Sequence, residues 1–275
     1  MNKKSIIDTA AEFIRNSGDN IISEEIAVSP EAAGLKIFED PIFAFGSADD
    51  EWFLNLKDGD ANLRGLMLPA EWLPGAKTVI SYFLPFGEAV KDSNKKDYKM
   101  PSAGWLHGRI EGQAILNSLS AYLVSRLTGA GYKSVAPSLD ERFWSKGNPG
   151  NNDLHHGVAF TSNWSERHAA YVCGLGTFGL SKGLITSKGV AGRFGSIITE
   201  LYLEPDERKY NGIYDYCIMC GECVNNCPVH AISLENGKNH IPCSEFIDYT
   251  KEKFNPRYGC GKCQVDVPCE SRIPG

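Results

Sequence analysis

The stretch Cys217-Ile-Met-Cys220-Gly-Glu-Cys223-Val-Asn-Asn-Cys227-Pro228 decides how the C-terminal part of this chain folds. Its spacing is C-x2-C-x2-C-x3-C-P. Three thiolates separated by two residues each wrap a short loop around three corners of a cuboidal metal–sulfur cluster. The intervening backbone N–H groups can then point at the cluster sulfurs. The fourth cysteine, turned away before Pro228, serves a neighbouring cluster.

A second set follows at Cys243, Cys260, Cys263 and Cys269. Exchanging the outlying cysteines completes two groups of four. Cys217, Cys220 and Cys223 take Cys269; Cys243, Cys260 and Cys263 take Cys227. The segment therefore reads as a ferredoxin-like module for two [4Fe-4S] clusters, which makes the chain an electron-transfer or redox protein. A disulfide framework would need an oxidising compartment, and the tight cysteine triple is not a zinc spacing. The ninth cysteine, Cys173, lies in an apolar helical segment and reads as a small buried hydrophobe.

Upstream of this module the composition is that of an ordinary globular chain, with 42% hydrophobic and 23% charged residues, so a normal core can form. The net charge of -6 and the lack of a basic stripe argue against nucleic acid. The mixed run Lys91–Asp97 reads as a solvated loop. No secretory leader and no run of 18 apolar residues is present, so a cytoplasmic location with no membrane partner is expected.

Ser5–Asn16 has the apolar spacing of an amphipathic helix. Pro41–Gly46 and Trp52–Leu56 read as strands or short helices, and Thr78–Leu84 as a strand ended by Pro85. Residues 86–104 read as a long loop and Arg109–Leu127 as a helix ended by Gly129 and Gly131. A strand is expected at 133–137, a second loop at 145–157, a helix at Ser165–Cys173 and a strand at Gly195–Glu204. Residues 174–183 are glycine-rich, and Gly174, Gly176 and Gly179 keep a G-x-G-x-x-G register. A helix precedes that register where a dinucleotide fingerprint needs a strand, so the passage is not one. The glycines either make turns or let backbone approach a large ligand. A boundary near 207–213 divides the chain into a domain at 1–207 and the cluster module at 208–275.

The cysteine module, Glu166-Arg167, Gly174-Leu-Gly-Thr-Phe-Gly-Leu-Ser-Lys182, Phe194-Gly-Ser196 and Glu200-Leu-Tyr-Leu-Glu-Pro205 together resemble epoxyqueuosine reductases and, more distantly, reductive dehalogenases. The resemblance covers roughly residues 75–275. It implies an α/β (α+β) N-terminal domain of nitroreductase-like, corrinoid-binding type against a two-cluster ferredoxin domain, with the clusters feeding cobalt. It also implies that Gly174, Gly176, Thr177, Gly179, Ser181, Gly195 and Ser196 contact the cofactor. The family's acidic proton donor falls at Phe160, and phenylalanine cannot transfer a proton. The family's helical-repeat tail, which helps hold tRNA, has no counterpart before Gly275, so tRNA is not expected as a partner.

Replacement proton donors are Tyr171, His155 and His156, with His107 and His168 as further candidates. Glu166-Arg167 reads as a pair of solvated charges on a helix. The expected function is an iron–sulfur oxidoreductase that passes electrons to a corrinoid and reduces a small substrate. The alternatives are an electron-transfer partner of another corrinoid or flavin protein, and a reductase holding flavin. The expected electron donor is a ferredoxin or flavodoxin.

Overall fold

The computed structural model describes residues 1–58, 63, 65–146 and 160–275. Its elements in chain order are α1 (Lys3–Asn16), β1 (Ile42–Ser47), α2 (Glu51–Asp58), α3 (Pro69–Trp72), β2 (Thr78–Pro85), α4 (Glu88–Ser93), α5 (Ala103–Gly129) and β3 (Ser134–Val135). They continue with α6 (Glu166–Cys173), β4 (Gly176–Phe178), β5 (Leu184–Thr186), β6 (Gly192–Thr199), α7 (Glu222–Asn225), β7 (Ile232–Ser233), β8 (Gly237–Lys238) and α8 (His240–Phe254).

Strand β2 organises the N-terminal part. All eight of its residues are buried, and period-2 alternation sends them to two different cores. Ile80, Tyr82 and Leu84 join α1 and α5 on one face. Val79 and Phe83 join α2 and α6 on the other. The sheet order is β1-β2-β6-β3 and every pairing is antiparallel. The architecture is a mixed sheet-and-helix sandwich of α+β kind, with helices on both faces.

Local signals explain the flanking helices. Asn2 and Ser5 form a reciprocal capping box at α1, at 2.9 and 3.1 Å. Ile6, Ala10 and Ile14 form its fully buried stripe. Helix α5 begins six residues before the sequence expectation because Ser102 caps it, accepting from the Trp105 N–H at 3.1 Å. The segment 86–104 is not the continuous loop expected: α4 folds within it, burying Val90. Periodicity could not show so short a helix. The glycine-rich passage forms the β4–β5 hairpin. Its turn and strands pack under the cysteine module, with Leu180 against Cys227 and Ile232, and Ile185 against Val267. No helix among the described residues is long and apolar enough to cross a membrane.

Candidate functional site

The cysteines border two separate cavities. Cys217, Cys220, Cys223 and Cys269 line a small one together with Gly179, Leu180 and Ser181 of the hairpin turn. Cys227, Cys243, Cys260 and Cys263 line a much larger one of about 910 Å³. The first group lies near the surface: Cys220, Ile218 and Met219 are exposed. The second faces inward.

The thiols within each group sense one another. Burial and the neighbouring thiols of Cys223, Cys217 and Cys220 push Cys269 up to about 12. Burial, with Cys263 and Cys243 adding to it, does the same to Cys260. Such crowding costs free energy unless a metal takes up the negative charge. Among the described residues no three His, Cys, Asp or Glu side chains are placed to hold a single metal ion. An all-cysteine donor set bordering a cavity suits a polynuclear iron–sulfur cluster. Backbone also contributes, since the Ala231 N–H donates to Cys227 Sγ at 3.2 Å.

Distant parts of the chain hold each cysteine loop. Asn94, just after α4, donates to the Cys260 carbonyl at 3.0 Å, and Lys262 donates back to the Asn94 carbonyl. Gly261 lies against the Trp105 ring of α5. The Cys269 carbonyl accepts from Val190 N–H at 2.9 Å, beside β5.

The large cavity is the meeting place of the cysteine module and the sheet domain. Arg109, Gln113 and Asn117 of α5, Arg193 and Phe194 of β6, and Arg167 of α6 face Cys243, Cys263, Lys238 and His240. Lys238 keeps its charge there. Burial works against it, but the thiols of Cys263 and Cys243 outweigh burial and raise its pKa.

Of the Glu166-Arg167 pair, which the sequence suggested to be solvated, Arg167 is exposed and lines the cavity, whereas the Glu166 carboxyl is not solvated. Both Glu166 carboxyl oxygens are buried without a hydrogen-bond partner. Burial lifts the Glu166 pKa to about 8, although Ser196 and Trp164 lie close enough to lower it. The nearby Trp164 indole N–H is committed to Ser196 Oγ at 2.9 Å.

The residues expected to contact a cofactor have roles within the fold. Gly174 ends α6 at φ +97°. Gly176 allows close pairing of β4 with β5, since a Cβ there would sit 2.1 Å from the Ile185 carbonyl oxygen. Thr177 Oγ1 accepts from the Tyr216 N–H at 2.9 Å. Gly179 and Ser181 serve the small cavity rather than the large one. Gly195 makes room for Tyr82, and Ser196 is fully buried. None of these seven is among the residues lining the large cavity.

Among the candidate proton donors, His155 and His156 lie outside the described residues, as does most of the 145–157 loop. Tyr171 stacks between Trp52 and Tyr210, at 5.1 and 5.3 Å, in the core on the α6 face, outside the large cavity. His107 is wholly buried and bonds Val28 N–H and Glu111. His168 bonds Ser165, and burial with Arg167 nearby holds its pKa down to about 4, so it is neutral. His240, which sequence reading passed over, lines the cavity and stacks on Phe160 at 5.3 Å. Nothing in its local sequence marks it, since only the chain crossing brings it to Phe160.

A ferredoxin-like cysteine loop docked on an antiparallel α+β domain, with a cavity at the join, defines an iron–sulfur redox protein. Comparison with known proteins gives the type. Residues 211–233 match the 4Fe-4S binding domain family. The tetrachloroethene reductive dehalogenase of Desulfitobacterium hafniense is 39% identical over 67 residues, 24% of this chain and 12% of that protein. The epoxyqueuosine reductase of Bacillus cereus is 25% identical over 218 residues, 73% of this chain and 50% of that protein. A solved epoxyqueuosine reductase bound to a tRNA stem loop superposes with a TM-score of 0.52 at 17% identity. That match spans 98% of this chain and 65% of the other. The chain is thus an epoxyqueuosine reductase-like and reductive dehalogenase-like iron–sulfur protein. It spans about half the length of the epoxyqueuosine reductase it matches, and its sequence match to the dehalogenase covers 67 residues.

Proposed function

We propose that this protein is a cytoplasmic iron–sulfur oxidoreductase with an electron path running from the surface to the large cavity. The observation that carries this is the separation of the cysteines. One group of four borders a small cavity near exposed Cys220, and the other opens on the 910 Å³ cavity. In this reading residues 208–275 carry two [4Fe-4S] clusters, one on each cysteine group. A ferredoxin or flavodoxin delivers electrons at the Cys220 side, where Ile218 and Met219 offer apolar surface. The cavity between residues 1–207 and the module takes the cofactor.

That cofactor is a corrinoid in a nitroreductase-like domain. The cavity volume lies at the upper end of ligand sites, which suits a large planar group. Trp105 and Phe194 would bound the ring, and Gln113 and Asn117 would bond polar groups at its edge. When bound, a corrinoid supplies a redox-active cobalt. The protein's own part is to exclude water, position the substrate and hold cations beside the second cysteine group. A small molecule is the substrate in this reading.

Anaerobic purification from cells supplied with iron and cobalamin tests the reading. About eight irons per chain, as two four-iron clusters require, with about one cobalt are expected. About eight irons with no cobalt and a flavin spectrum would move the assignment to a flavin reductase. Iron alone would make the chain an electron-transfer partner of another corrinoid or flavin protein.

Lys238 offers a separate check on the inward-facing group. Its ammonium sits beside Cys243 and Cys263 and favours the more negative, reduced state of a cluster there. Lys238→Met should shift one of two midpoint potentials negative by roughly 50–100 mV, the one-electron equivalent of about 1–2 kcal/mol of lost attraction. An EPR-monitored redox titration in which neither potential moves would place the cluster elsewhere.

A further inference from the structure

The large cavity is cationic in a protein that is acidic overall. Arg109, Arg167, Arg193, Lys238 and Lys262 line it, and Glu166 is the one acidic residue among its described lining. The carboxyl of Glu166 is turned into protein and has its pKa raised by burial. Four arginines elsewhere in the chain have carboxylate partners: Arg15 with Asp40, Arg142 with Asp140, Arg208 with Asp50 and Arg257 with Glu111. Among the described residues no carboxylate pairs with Arg109, Arg167 or Arg193.

Their hydrogen bonds are to neutral groups. Arg193 donates to the amide oxygen of Gln113, and its Nε is buried with no partner. Arg109 donates to the Tyr258 hydroxyl at 2.8 Å and stacks 4.6 Å from that ring. Arg167 donates to the Lys182 carbonyl at 2.8 Å. A buried guanidinium with an orphaned donor and no counter-ion is costly. Arg167 lies within electrostatic reach of Cys263, and Lys238 within reach of Cys263 and Cys243. Arg193 has Arg109 as a like-charged neighbour instead. Burial and these like charges hold the Arg193 pKa down to about 9.

We propose that Arg193 and Arg109 form a binding site for an anionic oxygen group, a carboxylate or phosphate, carried by the molecule that occupies the cavity. Arg193 lines the cavity with only the neutral Gln113 amide as its side-chain partner, and its guanidinium suits charge-assisted contact with such a group. Trp105, Phe194 and Tyr258 nearby suit an apolar or aromatic body attached to it. The anion has two sources. It is either a substrate's own carboxylate or the phosphate in the nucleotide loop of a corrinoid. The cation excess stands whether or not a corrinoid binds.

Calorimetry on the anaerobically purified holoprotein separates the sources. If the anion is the substrate's, benzoate should bind and benzamide should not. Arg193→Gln should then weaken benzoate roughly ten- to hundredfold, with Arg193→Lys recovering part of it. If it is the cofactor's, Arg193→Gln should weaken uptake of cobalamin by a similar factor. Uptake of cobinamide, which lacks the phosphate, should be unchanged. Arg109→Gln should behave like Arg193→Gln in whichever arm responds. Unchanged iron content and melting temperature in the variants would show that the fold and clusters survive. With those intact, equal binding of benzoate and benzamide, together with equal loss or retention of both corrinoids, would overturn the anion site. Absence of cobalt in the purified protein bears on the corrinoid reading alone.

Discussion

Cys263→Ser should leave about four irons per chain where the parent holds about eight, and should abolish reduction in the cavity. Cys263 lies at the centre of the inward-facing group. Burial raises its thiol pKa, with Cys243 and Cys227 adding to it and Lys238 opposing. Serine keeps the size but offers a hydroxyl that stays protonated, so one corner of the cluster has no anionic ligand. The first group does not include Cys263, and its cluster should remain visible by EPR. The matching change on the outer side, Cys220→Ser, should also reduce iron to about four per chain. It removes the cluster near the exposed surface, so a small chemical reductant that enters the cavity should still support turnover. A ferredoxin donor should not. This asymmetry gives the two groups different duties. If Cys263→Ser kept about eight irons, or if both variants responded alike to both reductants, the path from surface to cavity would be wrong.

The cysteine groups illustrate what could be seen in the sequence. Cys217–Cys227 is a local spacing, and ligand geometry fixes local spacing tightly. Thr78–Leu84 is equally legible because a strand buried on both faces is predominantly apolar, with β-branched and aromatic residues. The start of α5 at Ala103 was missed, since its cue is one serine before a run without clear periodicity. In the glycine-rich passage, hairpin pairing demands Gly176, and outside it packing of Tyr82 demands Gly195; neither lines the large cavity. A resemblance carries the residues but not the reason for them. Arg193, Arg109 and His240 had no local signal at all. They lie on three separate elements, and only the docking of the cysteine module on α5 and β6 makes them neighbours. Glu166 looked solvated because a charged residue opening a helix ordinarily is. Its burial comes from the crossing of α6 over Trp164 and Ser196.

That docking rests on one contact tight enough to test. Gly261 sits between Cys260 and Cys263 at φ +70°, and a Cβ there would lie 1.9 Å from Trp105 Cε2. Trp105 cannot move aside readily: it is 4% exposed and packs on Phe86 with ring centroids 4.9 Å apart. Gly261→Ala therefore meets two penalties. The left-handed backbone costs a side chain roughly 1–2 kcal/mol, and overpacking a rigid ring adds about 1–3 kcal/mol. A loss of about 2–5 kcal/mol is expected on that sum, enough to push the loop off α5. Because the same loop carries Cys260 and Cys263, the loss should appear both as a lower melting temperature and as iron falling towards about four per chain. The cause can be isolated. Trp105→Ala opens the space at its own cost, so the double variant should hold more iron than Gly261→Ala alone, a favourable coupling that only contacting residues show. If the double variant were no better than the sum of the two singles, backbone strain at residue 261 would account for the loss. If Gly261→Ala alone kept full iron and the parent melting temperature, the loop would not rest on Trp105, and the cavity wall built from that contact would have to be redrawn.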